Sequence, residues 1–156
     1  MGFGAPSVKG RALRYLAQRE HSRTELERKL ARTVEDTPEA SAPQQIAAAL
    51  DELAAKGLLS DQRTADSVLR SQGARFGSRR LKQTMQAKGL APALVASTLQ
   101  QARATELERA RDVWQRKFGA PAPDAAGRAK QMRFLAGRGF DGEVIRRVVG
   151  GLVDEQ

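Results

Sequence analysis

Apolar residues recur along this chain at the three- and four-residue spacing of amphipathic helices, and the same helical pattern is repeated. A glycine followed by an apolar residue opens each of two closely similar copies, at Gly89 and, fifty residues later, at Gly139. The corresponding apolar positions are Leu90, Val95 and Leu99 in the first copy and Phe140, Ile145 and Val149 in the second. Because a few short helices cannot bury their apolar faces alone, neighbouring repeats are expected to stack.

A third, looser copy lies near the N-terminus, with Leu26 and Leu30 on one helix and Ile46 and Leu50 on the next. We therefore predict an all-α fold, an elongated array of three tandem three-helix repeats. The predicted segments are a flexible N-terminus at 1–7, repeats at 8–59, 60–103 and 104–152, and a C-terminal tail at 153–156. No segment shows sustained alternation of apolar and polar residues, so no sheet is predicted.

Local sequence signals place the ends of the predicted helices. Ser22 and Glu25 form a capping box, in which each side chain accepts a hydrogen bond from a backbone amide at the helix start. Pro43 and Pro92 suit the first turn of a helix, and Ser78 is predicted to cap the basic helix that follows it. With their caps, the predicted helices span residues 8–20, 22–33, 43–57, 60–73, 78–88, 92–103, 106–118, 127–138 and 142–152.

The composition is that of a folded helical protein with thin cores. Hydrophobic residues make up 40% of the chain and charged residues 29%, whereas aromatic residues make up only 4%. The absence of cysteine excludes disulfides and thiolate chemistry and is typical of a reducing compartment. No apolar run approaches the ~20 residues of a membrane span, and no signal-peptide core opens the chain. We therefore expect a cytoplasmic protein without a membrane partner.

The formal net charge of +9 arises entirely from the second part of the chain. Up to Val68 the chain holds ten acidic and ten basic residues, whereas the remainder holds seventeen basic and eight acidic residues. Between Asp66 and Glu106 there is no acidic residue at all. Such a block attracts a polyanion or an acidic protein surface. With the basic residues further on, the candidate partner- or DNA-binding residues are Arg70, Arg75, Arg79, Arg80, Lys82, Lys88, Arg116, Lys117, Lys130 and Arg133.

These basic residues also have a simpler interpretation, because most runs of charge are solvated helix faces. The absence of neighbouring acids favours a partner, since the mutual repulsion of the bases would be relieved by negative charge. Phe76 could stack on a base, but we expect it to fill the corner between two helices, because a single aromatic residue is a poor stacking platform. The spacing of Trp114 and Phe118 is typical of core positions.

Catalysis by this chain is not predicted. The sequence contains one histidine and no cysteine, which excludes the usual zinc sites, and it contains no phosphate-binding loop. We expect no cofactor and no metal. His21 is predicted to be a surface residue or part of the start of the next helix. Carboxylates such as Glu25, Asp51 and Asp61 are predicted to cap helices or to be solvated.

Three ordered groups of residues extend over nearly the whole chain. The opening group is Ala12, Leu13, Leu16, Ala17, Arg19, His21, Ser22, Glu25, Leu26, Lys29 and Leu30. The central group is Leu59, Ser60, Asp61, Arg63, Gly77, Arg80, Leu81, Gln83, Lys88, Gly89 and Leu90. The closing group is Arg116, Lys117, Phe118, Gly119, Lys130, Arg133, Phe134, Leu135, Arg138, Gly139 and Phe140. Together they resemble the signatures of the RecX family, whose members regulate the RecA recombinase.

The resemblance implies three tandem three-helix repeats and a monomeric partner of the RecA–DNA filament. It implies that the protein damps strand exchange and ATP hydrolysis in DNA repair, recombination and the SOS response, without catalysis of its own. The residues themselves leave two alternatives open. One is direct binding of single-stranded or duplex DNA through the basic second and third repeats, and the other is a bare scaffold.

Overall fold

The computed structural model describes residues 6–150, which form nine α-helices and contain no β-strand. The all-α fold class is confirmed for this part of the chain. The helices are α1 (Val8–Gln18), α2 (Arg23–Ala31), α3 (Ala42–Ala55), α4 (Asp61–Gln72), α5 (Ser78–Ala87), α6 (Pro92–Ala104), α7 (Glu106–Lys117), α8 (Ala125–Gly137) and α9 (Gly142–Val149). The predicted C-terminal tail, most of the predicted flexible N-terminus and the end of the last predicted helix lie outside the described residues.

Most of the predicted helix starts are confirmed, because capping depends on residues close together in the chain. Ser22 Oγ accepts from the Glu25 amide at 3.1 Å, and Glu25 Oε1 accepts from the Ser22 amide at 3.0 Å, which completes the capping box. The prediction for Ser78 is wrong. The Gly77 carbonyl already accepts from the Leu81 amide, so Ser78 is the first residue of α5 and its hydroxyl bonds elsewhere.

Contacts divide the described chain into two compact units. The first unit comprises the chain up to Ser67 together with Ala87–Leu90. Within it, α1, α2 and α3 pack on one another around an aliphatic core. This core contains Ala12, Leu26, Leu30, Val34, Ile46, Leu50, Leu53 and Leu59. Burial of each leucine, isoleucine or valine in this core contributes about 1.5–3 kcal/mol and holds these short helices together.

The second unit comprises Val68–Gln86 and the chain from Ala91 onward. Here α7, α8 and α9 pack on one another. Their core contains Ala110, Val113, Leu135, Phe140, Ile145, Val148 and Val149. All six apolar positions of the two closely similar sequence copies are buried, as the periodicity predicted. The predicted boundaries between the three repeats stay a prediction.

The glycines of the repeated pattern have backbone angles that favour glycine. Gly89, after α5, has φ +69°, and Gly139, after α8, has φ +85°. Gly89 also packs closely on α2, where a Cβ atom would lie 2.5 Å from the Thr24 side chain. Next to it, Ser22 Oγ donates a hydrogen bond to the Lys88 carbonyl. The start of α2 is therefore hydrogen-bonded to the turn at Lys88 and Gly89, within the first unit.

Candidate functional site

The basic helix α5 presents charge on one side and apolar residues on the other. Arg79, Arg80 and Lys82 are exposed. Leu81 and Met85 are each only 1% exposed, as the helical spacing predicted. Helix α5 therefore owes its packing to its apolar face, and its basic side chains are available to a partner.

The start of α5 is hydrogen-bonded to the turn that follows α8. The Gly77 amide donates to the Arg138 carbonyl at 2.9 Å, and the Arg79 amide donates to the Gly139 carbonyl at 3.0 Å. Amides at a helix start have no partner within the helix, so these bonds satisfy donors that would otherwise be left open. They also place the basic side chains of α5 beside those at the end of α8.

The buried carboxylate of Glu106 also holds the start of α5 in place. It is 2% exposed and accepts from the Ser78 amide at 2.9 Å, from Ser78 Oγ at 2.7 Å and from the Asp141 amide at 3.2 Å. One carboxylate thus caps the starts of α5 and α9. The sequence interpretation assigned carboxylates to solvated or local capping roles and missed this one, because its partners are distant in the chain.

The second unit carries a continuous set of cations and aromatic rings, which we call the cation–aromatic row. Its members are Arg75, Phe76, Arg80, Lys117, Phe118, Phe134 and Arg138. The guanidinium carbons of Arg75, Arg80 and Arg138 lie 5.4, 4.5 and 5.6 Å from the ring centre of Phe76.

A second ring continues the row beyond Arg138. The guanidinium carbon of Arg138 lies 5.3 Å from the ring centre of Phe134, and Lys117 Nζ lies 5.4 Å from it. Phe118 meets Phe134 edge to face, with ring centres 5.4 Å apart. All these distances lie within the range of cation–π and aromatic contacts. Arg138 is thus shared between two rings that are distant in sequence.

The row has no neutralising acid within residues 6–150. None of its four cations forms an ion pair with a carboxylate in that range. Nearby, Arg79 Nη2 lies 3.8 Å from Asp141 Oδ1, but both side chains are at least half exposed and such a pair contributes little. The row therefore combines concentrated positive charge with partly buried rings, which suits a partner that is both anionic and aromatic.

Arg109 holds the backbone around the row. Its guanidinium donates to the carbonyls of Gly73, Phe76 and Ala102, at 2.7 Å for the last two. Its Nε donates to Thr105 Oγ1 at 3.1 Å. Burial lowers the pKa of Arg109. Because its N–H groups donate to these oxygens of the protein, Arg109 has a structural role, and the neighbouring cations are the ones available to a ligand.

Two predicted residues, Arg70 on α4 and Arg116 on α7, line one shallow cleft of about 360 Å³. Both are exposed. Asp112 lines the same cleft and offsets part of the positive charge. The cleft is basic but lacks the rings of the cation–aromatic row.

The remaining predicted residues of the second unit do not join the row. Lys130 and Arg133 are exposed on α8. On the same helix, Gln131 is buried and accepts from Trp114 Nε1 at 3.0 Å. Trp114 is partly buried against the core of α7–α9, as the sequence predicted.

Lys88 belongs to the first unit and has a structural partner. Lys88 Nζ lies 3.3 Å from Glu25 Oε1, and Arg19 Nη2 lies 2.7 Å from Glu25 Oε2. Burial raises the pKa of Glu25, but the hydrogen bonds from Arg19 and Ser22 and the charge of Lys88 outweigh it and lower this pKa to about 2. Lys88, only 20% exposed, thus stabilises the capping box.

The surface position considered for His21 is wrong, because its side chain is fully buried. Its Nδ1 donates to the Arg19 carbonyl at 3.1 Å, and its Nε2 accepts from Lys29 Nζ at 2.9 Å. A carbonyl can only accept and an ammonium can only donate, so these partners define a neutral ring. Burial lowers the pKa of His21, and the charges of Arg19 and Lys29 lower it further.

Two features are absent from residues 6–150. No cluster of three or more histidine or carboxylate side chains there could hold a metal ion. No helix in this range has the length and apolar character needed to cross a membrane.

Comparisons with known proteins agree on one family. Residues 104–149 match the family model described as RecX, third three-helix domain. Regulatory protein RecX of Leptothrix cholodnii is 48% identical over 143 residues, covering 92% of this chain and 87% of that protein. Regulatory protein RecX of Chromobacterium violaceum is 43% identical over 155 residues, covering 99% and 97% of the two chains.

Solved structures show the same fold. The crystal structure of RecX from Lactobacillus salivarius matches with a TM-score of 0.73 at 18% identity, over 92% of each chain. A second crystal structure, of a regulatory protein RecX, matches with a TM-score of 0.68 at 22% identity, over 88% of this chain and 68% of that one. At these identities the likeness concerns the fold alone.

Proposed function

The chain belongs to the RecX family of regulatory proteins, and we propose that it regulates a RecA recombinase by binding the RecA–DNA filament. The observation that carries this proposal is the exposed basic surface of α5 together with the cation–aromatic row, whose four cations form no ion pair with a carboxylate within residues 6–150. A recombinase filament on DNA is a large polyanionic assembly, so it would relieve the repulsion among these bases.

The proposed mechanism is steric and electrostatic. A monomer of the protein lodges in the filament groove, bridges recombinase protomers and blocks the path of the second DNA strand. Strand exchange and the recombinase's ATP hydrolysis fall as a result. The protein itself carries out no chemical step and needs no cofactor. It acts in the cytoplasm, in DNA repair, recombination and the SOS response.

The direct test compares binding to recombinase-coated and naked single-stranded DNA. The triple variant Arg79→Ala, Arg80→Ala, Lys82→Ala removes three exposed bases from α5. Each lost charge-assisted contact should weaken binding to the coated DNA by about tenfold or more. The matched control replaces Arg14, Arg32 and Arg128 with Ala, because these arginines are exposed and their side chains form no hydrogen bond or ion pair within residues 6–150.

Both variants lose the same charge, and each exposed substitution should change the free energy of unfolding by only ~0.5 kcal/mol or less. If both folded variants bind the coated DNA equally tightly, the basic side chains of α5 are solvated and do not contact the partner. ATP turnover is measured in parallel, with Mg²⁺. We expect none from the purified protein alone and a reduction of the recombinase's turnover when it is added. Persistent turnover by the protein alone contradicts the non-enzymatic mechanism.

A second candidate function is direct nucleic-acid binding, which the cation–aromatic row favours. Phosphate contacts make binding depend on salt. On naked single-stranded DNA, the slope of log affinity against log salt should flatten by about 0.7 for each contact that the α5 triple variant loses. If the triple variant weakens binding only when the recombinase is present, α5 faces protein rather than phosphate.

A further inference from the structure

We propose that the cation–aromatic row is a stacking site for unpaired bases of single-stranded nucleic acid. This inference concerns naked nucleic acid and does not depend on the regulation of a recombinase. It goes beyond charge attraction, because it assigns a role to the aromatic rings as well as to the basic side chains.

The row brings several cations and aromatic rings into contact with one another. Phe76 is surrounded by Arg75, Arg80 and Arg138, and Arg138 also contacts Phe134. A single aromatic residue offers little to a nucleic-acid strand, but two rings joined by a shared guanidinium form an extended platform. Bases stack on aromatic rings and on the planes of guanidinium groups, whatever the sequence.

The backbone that carries Phe76 and Arg138 is held in place by hydrogen bonds. The Phe76 carbonyl accepts from Arg109 at 2.7 Å, and the Arg138 carbonyl accepts from the Gly77 amide at 2.9 Å. The backbone at both ends of the Phe76–Arg138 contact is therefore held by hydrogen bonds inside the second unit. A platform that is ordered before binding loses less conformational entropy when a ligand arrives.

The groups of the row match one class of partner. An acidic protein surface offers carboxylates but few stacking faces, and a duplex keeps its base faces inside the helix. Single-stranded nucleic acid presents phosphates and open base faces together. The four cations of the row, which have no carboxylate partner in the described range, complement the phosphates. Its three partly buried rings complement the base faces.

The test uses three fluorescein-labelled probes of equal length: an oligothymidylate, an abasic oligonucleotide with the same phosphates, and a duplex. Fluorescence anisotropy at fixed salt measures their affinities for the full chain without recombinase. Stacking of one base is expected to tighten binding of the oligothymidylate over the abasic probe by about fivefold to a hundredfold. Equal affinity for these two probes would overturn the proposal.

Substitutions in the row test whether its rings and its guanidinium groups cause the preference for the oligothymidylate over the abasic probe. Phe76→Leu and Phe134→Leu each keep an apolar side chain but remove a ring, and each should abolish most of the preference for the oligothymidylate while leaving the abasic probe nearly unaffected. Arg80→Lys keeps the positive charge but removes the planar guanidinium group, so it should reduce the same preference. Arg128→Lys, at an exposed position of α8 outside the row, is the matched control and should change nothing.

Thermal melting by circular dichroism verifies that each variant is folded. Where Phe76→Leu or Phe134→Leu fails to fold, Arg80→Lys decides the question, because Arg80 is exposed. A folded Arg80→Lys variant with the full preference for bases contradicts the proposal. If the duplex binds more tightly than both single-stranded probes, the proposal is also contradicted, and the row contacts phosphates alone. Regulation of the recombinase is scored separately, on coated DNA, so either proposal can fail alone.

Discussion

Gly139 and Arg80 approach so closely that a Cβ atom added to Gly139 would lie 2.5 Å from the Cβ of Arg80 and 2.7 Å from its backbone nitrogen. Contacts this short between a Cβ atom and backbone cannot be relieved by turning a flexible side chain. The glycine that ends α8 is thus required twice, by its φ of +85° and by the start of α5 that packs against it. This contact sets the distance between Arg80 and the end of α8, where Arg138 enters the cation–aromatic row.

Replacing Gly139 with Ala should therefore destabilise the protein. The left-handed backbone alone costs about 1–2 kcal/mol for a residue with a Cβ atom, and the collision with Arg80 adds to it. Gly137→Ala is the matched control, because Gly137 lies in α8 with nothing within 4 Å of its added Cβ. Because Gly137 is the last residue of α8, the control should leave stability unchanged or raise it by roughly 0.5 kcal/mol at most. Urea unfolding of both variants measures the difference, and equal stabilities would contradict the packing described here.

Replacing Glu106 with Gln should loosen the junction of α5 and α9. The amide oxygen can still accept from the Ser78 and Asp141 amides, but it carries no charge, and the Ser78 hydroxyl no longer has a carboxylate oxygen to donate to. A hydrogen bond to a buried charged group contributes about 1.5–3 kcal/mol, and we expect a loss of that order in urea unfolding. Glu108→Gln, at an exposed position of the same helix, should change stability by ~0.5 kcal/mol or less. A similar small change at Glu106 would show that the three bonds contribute little.

Stability in acid should depend on Glu25. Its pKa in the folded chain is about 2, below the ordinary value of 4.5, so the unfolded chain binds its proton first as the pH falls. The stabilisation is complete above pH 4.5 and is lost progressively as the pH falls from 4.5 through about 2. Glu25→Gln should reduce the slope of unfolding free energy against pH in this range, whereas Glu27→Gln, at an exposed position, should reduce it less. Identical slopes in both variants would exclude this role of Glu25.

A second pH dependence should come from His21. Burial and the charges of Arg19 and Lys29 lower its pKa below 6.5, so the folded chain resists a proton that the unfolded chain accepts. Stability is expected to fall as the pH decreases below 6.5 and to level off below the pKa of the folded chain. Since His21 is the one histidine of the chain, His21→Gln should remove this slope. Chemical unfolding over about pH 5–7, near the ordinary histidine pKa, measures it, and a slope unchanged by the substitution would contradict the assignment.

The all-helical fold class and most of the helix starts could be predicted because they depend on residues close together in the chain. The Ser22–Glu25 capping box spans one turn, and the buried faces of α5 and of the repeated pattern follow the helical period. The uneven distribution of charge is likewise a property of the sequence, and the family resemblance rests on ordered motifs. These features require no knowledge of which helix packs on which.

The partners of several residues became visible only in three dimensions. Ser78 and Glu106 are distant in the chain and share no sequence signal, so the sequence predicts a local cap for the serine and a solvated or local capping role for the carboxylate. His21 was placed at the surface or the helix start, and its burial depends on the packing around α1 and α2. Phe134 and Arg138 were recognised as parts of a motif, but their contacts in the row were not predicted.

The sequence alone thus determined that this protein is a basic, all-helical member of its family, since helical period, capping and charge are local or additive properties. Only the tertiary structure decided that Phe76 shares Arg138 with Phe134. The reason is physical: a cation–π contact or a buried hydrogen bond needs two groups within a few ångströms, and chain folding brings them together from distant positions. A single aromatic residue in the sequence therefore became part of an ordered row in the structure.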